Sequence, residues 1–533
     1  MEDRGLFPGL FLWEFLIPKK RVSLLPTILP YAICHKLFTT LFCEVGYDRG
    51  VEKYSEEGEN VFRGNKRIAI LGSGLSGLVT AYELNKAIEA EGLPFEFVLL
   101  EKRDQIGGTI RTVQTDVGPV DVGASSFDIR REDIRPFLAE LGLEDEIEYS
   151  IGGKLDRFST NEFVTSKKPS YHGIPINFSD IMHEKELSLS DKLSVLINHS
   201  FNNMKLGMDS NTTTSEFLEY RFCKAVSTMI AYPNFPENIF GSMELCPPAF
   251  FDQNLINLFE NTNSRYNLKE AELAHYMDGE GSEYTLKGGL AVLVETLMEK
   301  IPDVVLTGKK VTNLYGMDEN VFLMTLNDNE SLRAKTVIST LSIAESAPLL
   351  NNCEDIGIKI PQAQVSSMGT ILYRFEKGAL TRYPEGYGFV IPKRSSFHIT
   401  KTSLLNRKWP SLKDADHDIL LVEVGRRLED TIVQLSDEAF LNIINEEVNE
   451  IFQVKGAYRS AKVYRWINNI PHLEANERNE LNEVTTIHKK RINDKGIFMG
   501  GNGFRGYGLP NAINEGKRLA REALAYMKAQ QEL

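Results

Sequence analysis

The sequence has little from which to build a covalent or metal framework. Its five cysteines, Cys34, Cys43, Cys223, Cys246 and Cys353, are odd in number, scattered, and include no C-x-x-C pair. That argues against a disulfide scaffold and for reduced thiols in a cytoplasmic protein. The nine histidines show no H-x-x-x-H or similar spacing, so no metal site is predicted. No basic face offsets the net charge of −14, which argues against nucleic acid as a partner. Internal repeats and low-complexity tracts are missing too. What remains is 533 residues, 42% hydrophobic and 25% charged, long enough for two or three globular domains.

The leader, residues 1–65, is the least conventional part. Gly5 to Pro18 is apolar and aromatic but broken by Glu14, and Lys19-Lys20-Arg21 follow. Val22 to His35 is a second uncharged run containing Pro26 and Pro30. A spanning helix needs roughly 20 apolar residues, and neither run qualifies alone. With no basic n-region and no small-residue cleavage site, the segment is not read as a signal peptide. Two readings stay open. The leader folds back onto the body, or residues 1–45 make a peripheral membrane contact through Phe7, Phe11, Trp13, Phe15 and the three basic residues. Glu52 to Arg63 is polar and Glu-rich, as a linker would be.

Chemistry enters at Lys66. Arg67 to Leu71 is a short apolar run of the kind found in buried parallel strands. Gly72-Ser73-Gly74-Leu75-Ser76-Gly77 then sets G-x-G-x-x-G spacing at the mouth of a predicted helix. The first glycine permits the tight turn, the second lets a pyrophosphate approach the backbone, and the third lets helix and strand pack closely. Phe95 to Leu100 reads as the next strand, closed by Glu101 and Lys102. A carboxylate at that point can accept both hydroxyls of an adenosine ribose. The spacing alone is weak evidence; strand, helix and acid in the right order make it strong.

Downstream, Val113 to Phe127 alternates like a hairpin running into a loop at Gly123-Ala124-Ser125-Ser126. Glu132 to Leu143, Ser188 to Met204 and Thr214 to Met229 are predicted helices, with Ser190 and Thr214 or Ser215 as N-caps. A mostly helical block without nucleotide signals, interrupting a dinucleotide domain, is where a substrate cavity is often built. An α/β pattern returns after Tyr284: a helix to Lys300, then strands at Val304 to Leu306, Lys310 to Leu314, Val321 to Asn327 and Leu332 to Thr340. Runs near 371–375, 388–391 and 419–423 suggest a second, antiparallel sheet, followed by a helix from Asp437 to Phe452. The chain closes with a strand, Gly496 to Met499, several glycines, and a helix from about Pro510 to Lys528. The start of that helix carries free N–H groups and a partial positive charge suited to an electron-rich ligand.

Glu101 is followed by E-x5-G-G at Gly107-Gly108, which resembles the flavin amine oxidase superfamily; as a plain turn the glycine pair would mean little. Further stretches resemble one branch of it, the bacterial-type protoporphyrinogen/coproporphyrinogen oxidases. They are Gly173-Ile174-Pro175, the run from Tyr387 to Pro410, Arg465-Trp466 with Pro471, and Gly506 to Pro510. The resemblance covers about residues 66 to 527. It implies an α/β fold: a Rossmann-like FAD-binding domain interleaved with a mixed-sheet substrate domain and a helical insertion. The implied parts are FAD-binding segments 66–180, 284–345 and 461–533, a helical insertion 181–283, and a substrate domain 346–460. It also implies non-covalent FAD, held by Gly72 to Gly77, Glu101, Lys102, Gly107, Gly108, Gly123 to Ser126, Val311, Trp466 and Gly508-Leu509-Pro510.

The implied activity is oxidation of a porphyrinogen, preferably coproporphyrinogen III, in haem biosynthesis, with O2 as acceptor and H2O2 as product. No catalytic side chain is assigned, because the flavin carries the chemistry. Arg131 falls where the family often has a basic residue and is the candidate partner of a substrate carboxylate; Arg130, Lys393 and Arg394 are weaker candidates. Three stretches depart from the family: Gly123-Ala124-Ser125-Ser126-Phe127 replaces G-P-D-S-F, Tyr232 to Glu237 replaces a glycine-rich segment, and Leu473-Glu474-Ala475-Asn476 follows Pro471; the second falls where the substrate is expected. Two alternatives stand beside this one. The first is an amine oxidase or desaturase acting on another small metabolite, in which Trp466 and Tyr507 either form an aromatic pair or, the preferred reading, pack the flavin ring; the second is a flavoprotein scaffold or partner-binding protein without catalytic function.

Overall fold

The computed structural model describes residues 63–129, 133–165, 168–175, 177–201, 212–234, 243–248, 278–317, 321–393, 395–413 and 415–531. The expectations for the leader and for Arg130, Arg131 and Arg394 lie outside these residues.

The architecture is mixed α/β. Its centre is a parallel sheet in the spatial order Val305–Leu306, Glu96–Leu100, Arg67–Leu71, Thr336–Ser339, Ile497–Met499. Period-two alternation sends the side chains of Arg67–Leu71 into two cores. Ile68 and Ile70 pack with Leu78, Val79, Ile513 and Leu519 beneath the helices Leu75–Glu91 and Leu509–Gln531. Ala69 and Leu71 pack on the other face with Leu314, Phe322, Met324 and Ile343. Covered on both faces, the strand reads as a continuous apolar run, as buried parallel strands do.

A second sheet of seven strands runs in the order Ser460–His472, Gln364–Glu376, His417–Val424, Ile399–Leu404, Gly388–Val390, Leu155–Ser159, Glu162–Val164. It is antiparallel except where Gly388–Val390 pairs with Leu155–Ser159. Two of its contributions, Leu155–Val164 and Ser460–His472, come from segments that the sequence division places with the FAD-binding parts. The helix Asp437–Phe452 covers one face through Phe440, Ile444, Val448 and Ile451, and the Ser436 hydroxyl caps it by accepting from the Ala439 amide at 3.3 Å. The other face carries Met368, Leu372 and Trp466.

Several local expectations change. The predicted strand Leu332 to Thr340 is two: Ser331–Ala334 joins a three-stranded meander, while Thr336–Ser339 enters the parallel sheet. Lys335 at the crossing follows Arg333 at a spacing of two, so it reads as one more outward position of a single alternating strand. The predicted helix Thr214 to Met229 stops at Arg221, and a π-helical turn, Val226–Ala231, follows Cys223, whose φ is 152°. The helix near 132–143 is shorter, Arg135–Leu141, and ends at left-handed Gly142. Helix caps fall one or two residues earlier than predicted. Thr213 forms a capping box with Glu216, and Ser188 and Asp191 bond reciprocally. No helix among the described residues is long and apolar enough to cross a membrane.

Candidate active site

A cavity of about 690 Å³ runs from the glycine turn after Leu71 to the flank of the seven-stranded sheet. At its first end, the Gly72 amide donates to the Leu100 carbonyl at 2.8 Å, which ties the turn to the neighbouring strand. The helix Leu75–Glu91 begins at Gly74 with no side-chain cap, so its first amides remain available where Gly74, Leu75 and Ser76 line the cavity. Gly77 does not line it. A Cβ there would stand 1.9 Å from the Gly72 carbonyl oxygen, so only glycine lets the helix sit this close to the turn. Gly107 is likewise a wall element, its amide donating to the Ser73 carbonyl at 3.0 Å. Gly108 does line the cavity, and its Cβ would lie 2.9 Å from the Gly74 Cα. Glycine turn and glycine pair thus meet backbone to backbone.

Glu101 is 7% exposed and lines the same end. It accepts from the Ser73 amide (3.0 Å), the Ser73 hydroxyl (2.7 Å) and the Arg103 amide (2.9 Å). An ionised carboxylate offers about four acceptor sites, so three protein donors leave room for about one more from a ligand. Lys102 pairs with Glu345, and Val311 also lines the cavity.

Farther along, Gly123, Ala124, Ser125 and Ser126 line one side, and Trp466 lies against Gly123. Gly508, Leu509 and Pro510 line it as well, where the helix Leu509–Gln531 begins. The structure brings every described residue of the predicted cofactor set to this cavity or, for Ser73, Gly77 and Gly107, into its wall. Tyr507 is different. It is fully buried, outside the cavity lining, and its hydroxyl donates to the Pro471 carbonyl at 3.0 Å. It therefore cannot form an aromatic pair with Trp466 across the cavity.

Sequence reasoning did not find the charged cluster on the far wall. Glu283 Oε2 pairs with Lys408 at 2.7 Å and accepts from the Ser126 hydroxyl at 2.5 Å; the Tyr387 hydroxyl donates to Oε1 at 2.6 Å. Lys401 pairs with Glu423 at 3.2 Å from the adjacent strand. Burial opposes ionisation of Glu283, but Lys408 and Lys401 outweigh it and hold its carboxyl well below the usual range. Lys408 was visible in the K-W-P run and Glu283 just before Tyr284. Only the pairing of Ile399–Leu404, a strand missed at sequence level, shows that these charges converge. Lys393, by contrast, stands over the Tyr232 ring and within 3.4 Å of Glu244.

Comparison with known proteins gives this geometry a family. Residues 75–524 match the model for flavin containing amine oxidoreductases. The chain belongs to that family and is an FAD-dependent oxidoreductase. Over 475 residues it is 26% identical to the coproporphyrinogen III oxidase of Bacillus subtilis (strain 168), covering 87% of this chain and 99% of that one. It is 22% identical to protoporphyrinogen oxidase 2, chloroplastic/mitochondrial, of Arabidopsis thaliana, over 87% of this chain and 95% of the relative. Among solved structures, a candidate protoporphyrinogen oxidase from Exiguobacterium sp. 255-15 superposes with a TM-score of 0.74 at 19% identity, covering 86% of this chain and 98% of that one. That likeness establishes the fold. The cavity fits the cofactor: uncapped helix amides and close-packed glycines at one end, a ribose-type acid beside them, and a second helix N-terminus at the other.

Proposed function

We propose that this protein oxidises a porphyrinogen, coproporphyrinogen III in preference, to the porphyrin in haem biosynthesis, with O2 as acceptor and H2O2 as product. The observation that carries the reading is the end-to-end match to the B. subtilis coproporphyrinogen III oxidase, 99% of whose length aligns. The cavity is compatible with it: besides the glycine turns, its lining includes Val390, Ile391, Tyr232 and Ile470, apolar and aromatic side chains of the kind that can line a pocket for a second ligand.

Bound FAD supplies hydride acceptance. The chain's part is to hold it without a covalent bond. Gly72, Gly74 and Gly108 form the cradle, Glu101 takes the ribose, Lys102 and Val311 flank the adenine end, and Gly123 to Ser126, Trp466 and Gly508 to Pro510 enclose the ring system. Cys223, Cys246 and Cys353 are buried and outside the cavity lining, which supports non-covalent attachment. Arg131 is the proposed partner of one substrate carboxylate. Removing a hydride from a methylene between pyrroles needs alignment more than a strong base, in keeping with the lack of an assigned acid/base pair. Anaerobic mixing of the FAD-loaded protein with coproporphyrinogen III tests this: the flavin absorbance should bleach within a turnover. A flavin that stays oxidised would overturn the substrate.

We also propose a cytoplasmic protein that touches a membrane peripherally through residues 1–45. Leu189, Leu193, Leu196 and Ile197, exposed along one helix, are compatible with such a contact. Vesicle co-sedimentation with and without residues 1–60 decides; equal partition of the two forms would remove the membrane role.

A further inference from the structure

Buried cations on the substrate-side wall differ in how many of their donors the protein occupies. Arg426 gives Nη2 to the carbonyls of Ile391 (2.7 Å) and Ile399 (3.4 Å), and Nη1 to that of Phe397 (3.4 Å). Lys408 holds Glu283 and lies over the rings of Tyr387 and Trp409, at 5.0 and 4.7 Å. Lys401 is the exception among the described residues. Its ammonium has one recorded partner, Glu423 Oε1 at 3.2 Å, although an ammonium carries three donors. Its side chain is 15% exposed, and both it and Glu423 line the cavity.

Lys401 is partly buried, and donors held partly away from solvent without a protein partner are completed by water or by a ligand. A free donor on an ammonium suits an anionic acceptor best. Of the carboxylates near Lys401, Lys408 and Arg426, Glu429 stands 3.5 Å from Arg426 and Glu283 is already engaged by Lys408, Tyr387 and Ser126, which leaves Glu423 as the carboxylate recorded against Lys401. Burial works against the charge on Lys401, but Glu423 and Glu283 outweigh it and keep the ammonium protonated. Register fixes the position, since Lys401 and Glu423 are direct partners across neighbouring strands.

We propose that Lys401 is a specificity-determining residue that receives a carboxylate of the substrate at the inner end of the cavity. On the porphyrinogen reading, on which this identification of the ligand rests, the group is a propionate of the tetrapyrrole. Glu423 fixes the position of the ammonium through one contact and leaves its other donors to the ligand.

The test uses the FAD-loaded full chain, following the flavin spectrum during titration with coproporphyrin III and with its tetramethyl ester. Benzoate and benzamide serve as a second pair of charged and neutral probes. Wild type should bind each carboxylate more tightly than its neutral analogue. Lys401→Met should lose about tenfold on the carboxylates and less than twofold on the neutral probes, while Lys401→Arg keeps most of the affinity. Lys401→Met removes the counter-charge of Glu423, so Lys401→Met/Glu423→Gln repeats the test without a net change in charge. Equal losses on charged and neutral probes, or none on either, would overturn the proposal. If neither porphyrin binds wild type but benzoate is preferred over benzamide through Lys401, the porphyrinogen reading falls and the carboxylate site stands. If porphyrins bind and charge makes no difference, the reverse holds.

Discussion

The backbone amide and the hydroxyl of Ser73 both donate to one oxygen of Glu101, at 3.0 and 2.7 Å. The glycine turn and the end of the second strand are thereby locked into one unit, and the Arg103 amide fixes the other carboxylate oxygen. Glu101→Gln should weaken FAD binding about 10- to 100-fold, as loss of a charged acceptor does. Ser73→Ala should cost less, because the amide contact survives. Fluorescence of released FAD measures both; unchanged affinity in Glu101→Gln would remove the ribose role.

Gly77 answers to packing alone. A methyl group there meets the Gly72 oxygen at 1.9 Å, and backbone has to move to admit it. Gly77→Ala should cost about 2–3 kcal/mol in denaturant unfolding, the upper part of the range for overpacking. A loss below about 0.5 kcal/mol, the size of an ordinary surface change, would contradict the close contact.

The Glu283–Lys408 pair makes a prediction about partners. Glu283→Gln leaves the Lys408 ammonium, 2% exposed, without its nearest anion. Breaking a buried pair from one side costs about 3–5 kcal/mol, whereas replacing both members by neutral groups is often nearly neutral. Thermal melts should therefore rank Glu283→Gln below Glu283→Gln/Lys408→Met. The opposite order would mean that the two charges are not coupled.

His472 is 1% exposed; its Nε2 lies 2.7 Å from the Ser366 hydroxyl, and its Nδ1 has no hydrogen-bond partner among the described residues. Burial, then the Arg427 charge, lowers its pKa from 6.5 to about 4. The neutral form is favoured in the folded state, so this contribution to stability is complete above pH 6.5 and is lost as pH falls towards 4. The total is about 3 kcal/mol. His472→Gln should flatten that part of the stability–pH profile; an unchanged slope would assign it to other groups.

Much of the FAD end was legible because it is local. Gly72 to Gly77 and Glu101 sit in one strand–turn–helix–strand unit whose order fixes their geometry. Trp466 and Gly508 to Pro510 are distant in sequence, and only resemblance to a family brought them to the same cavity. The Lys401–Glu423 pair was illegible for a different reason. Its strand carries polar residues at Lys401, Thr402 and Ser403, so alternation does not mark it, and its inward charges look like surface ones. Leu332 to Thr340 failed because the polar residue where the two sheets meet, Lys335, continues the alternation set by Arg333 and so does not read as a break.

The central claim is tested most directly by product formation. The FAD-loaded protein, supplied aerobically with coproporphyrinogen III and separately with protoporphyrinogen IX, is followed by porphyrin fluorescence and peroxide release. The account predicts porphyrin well above autoxidation, faster with coproporphyrinogen III, and H2O2 formed alongside. No acceleration of either substrate by a protein that holds FAD would contradict it.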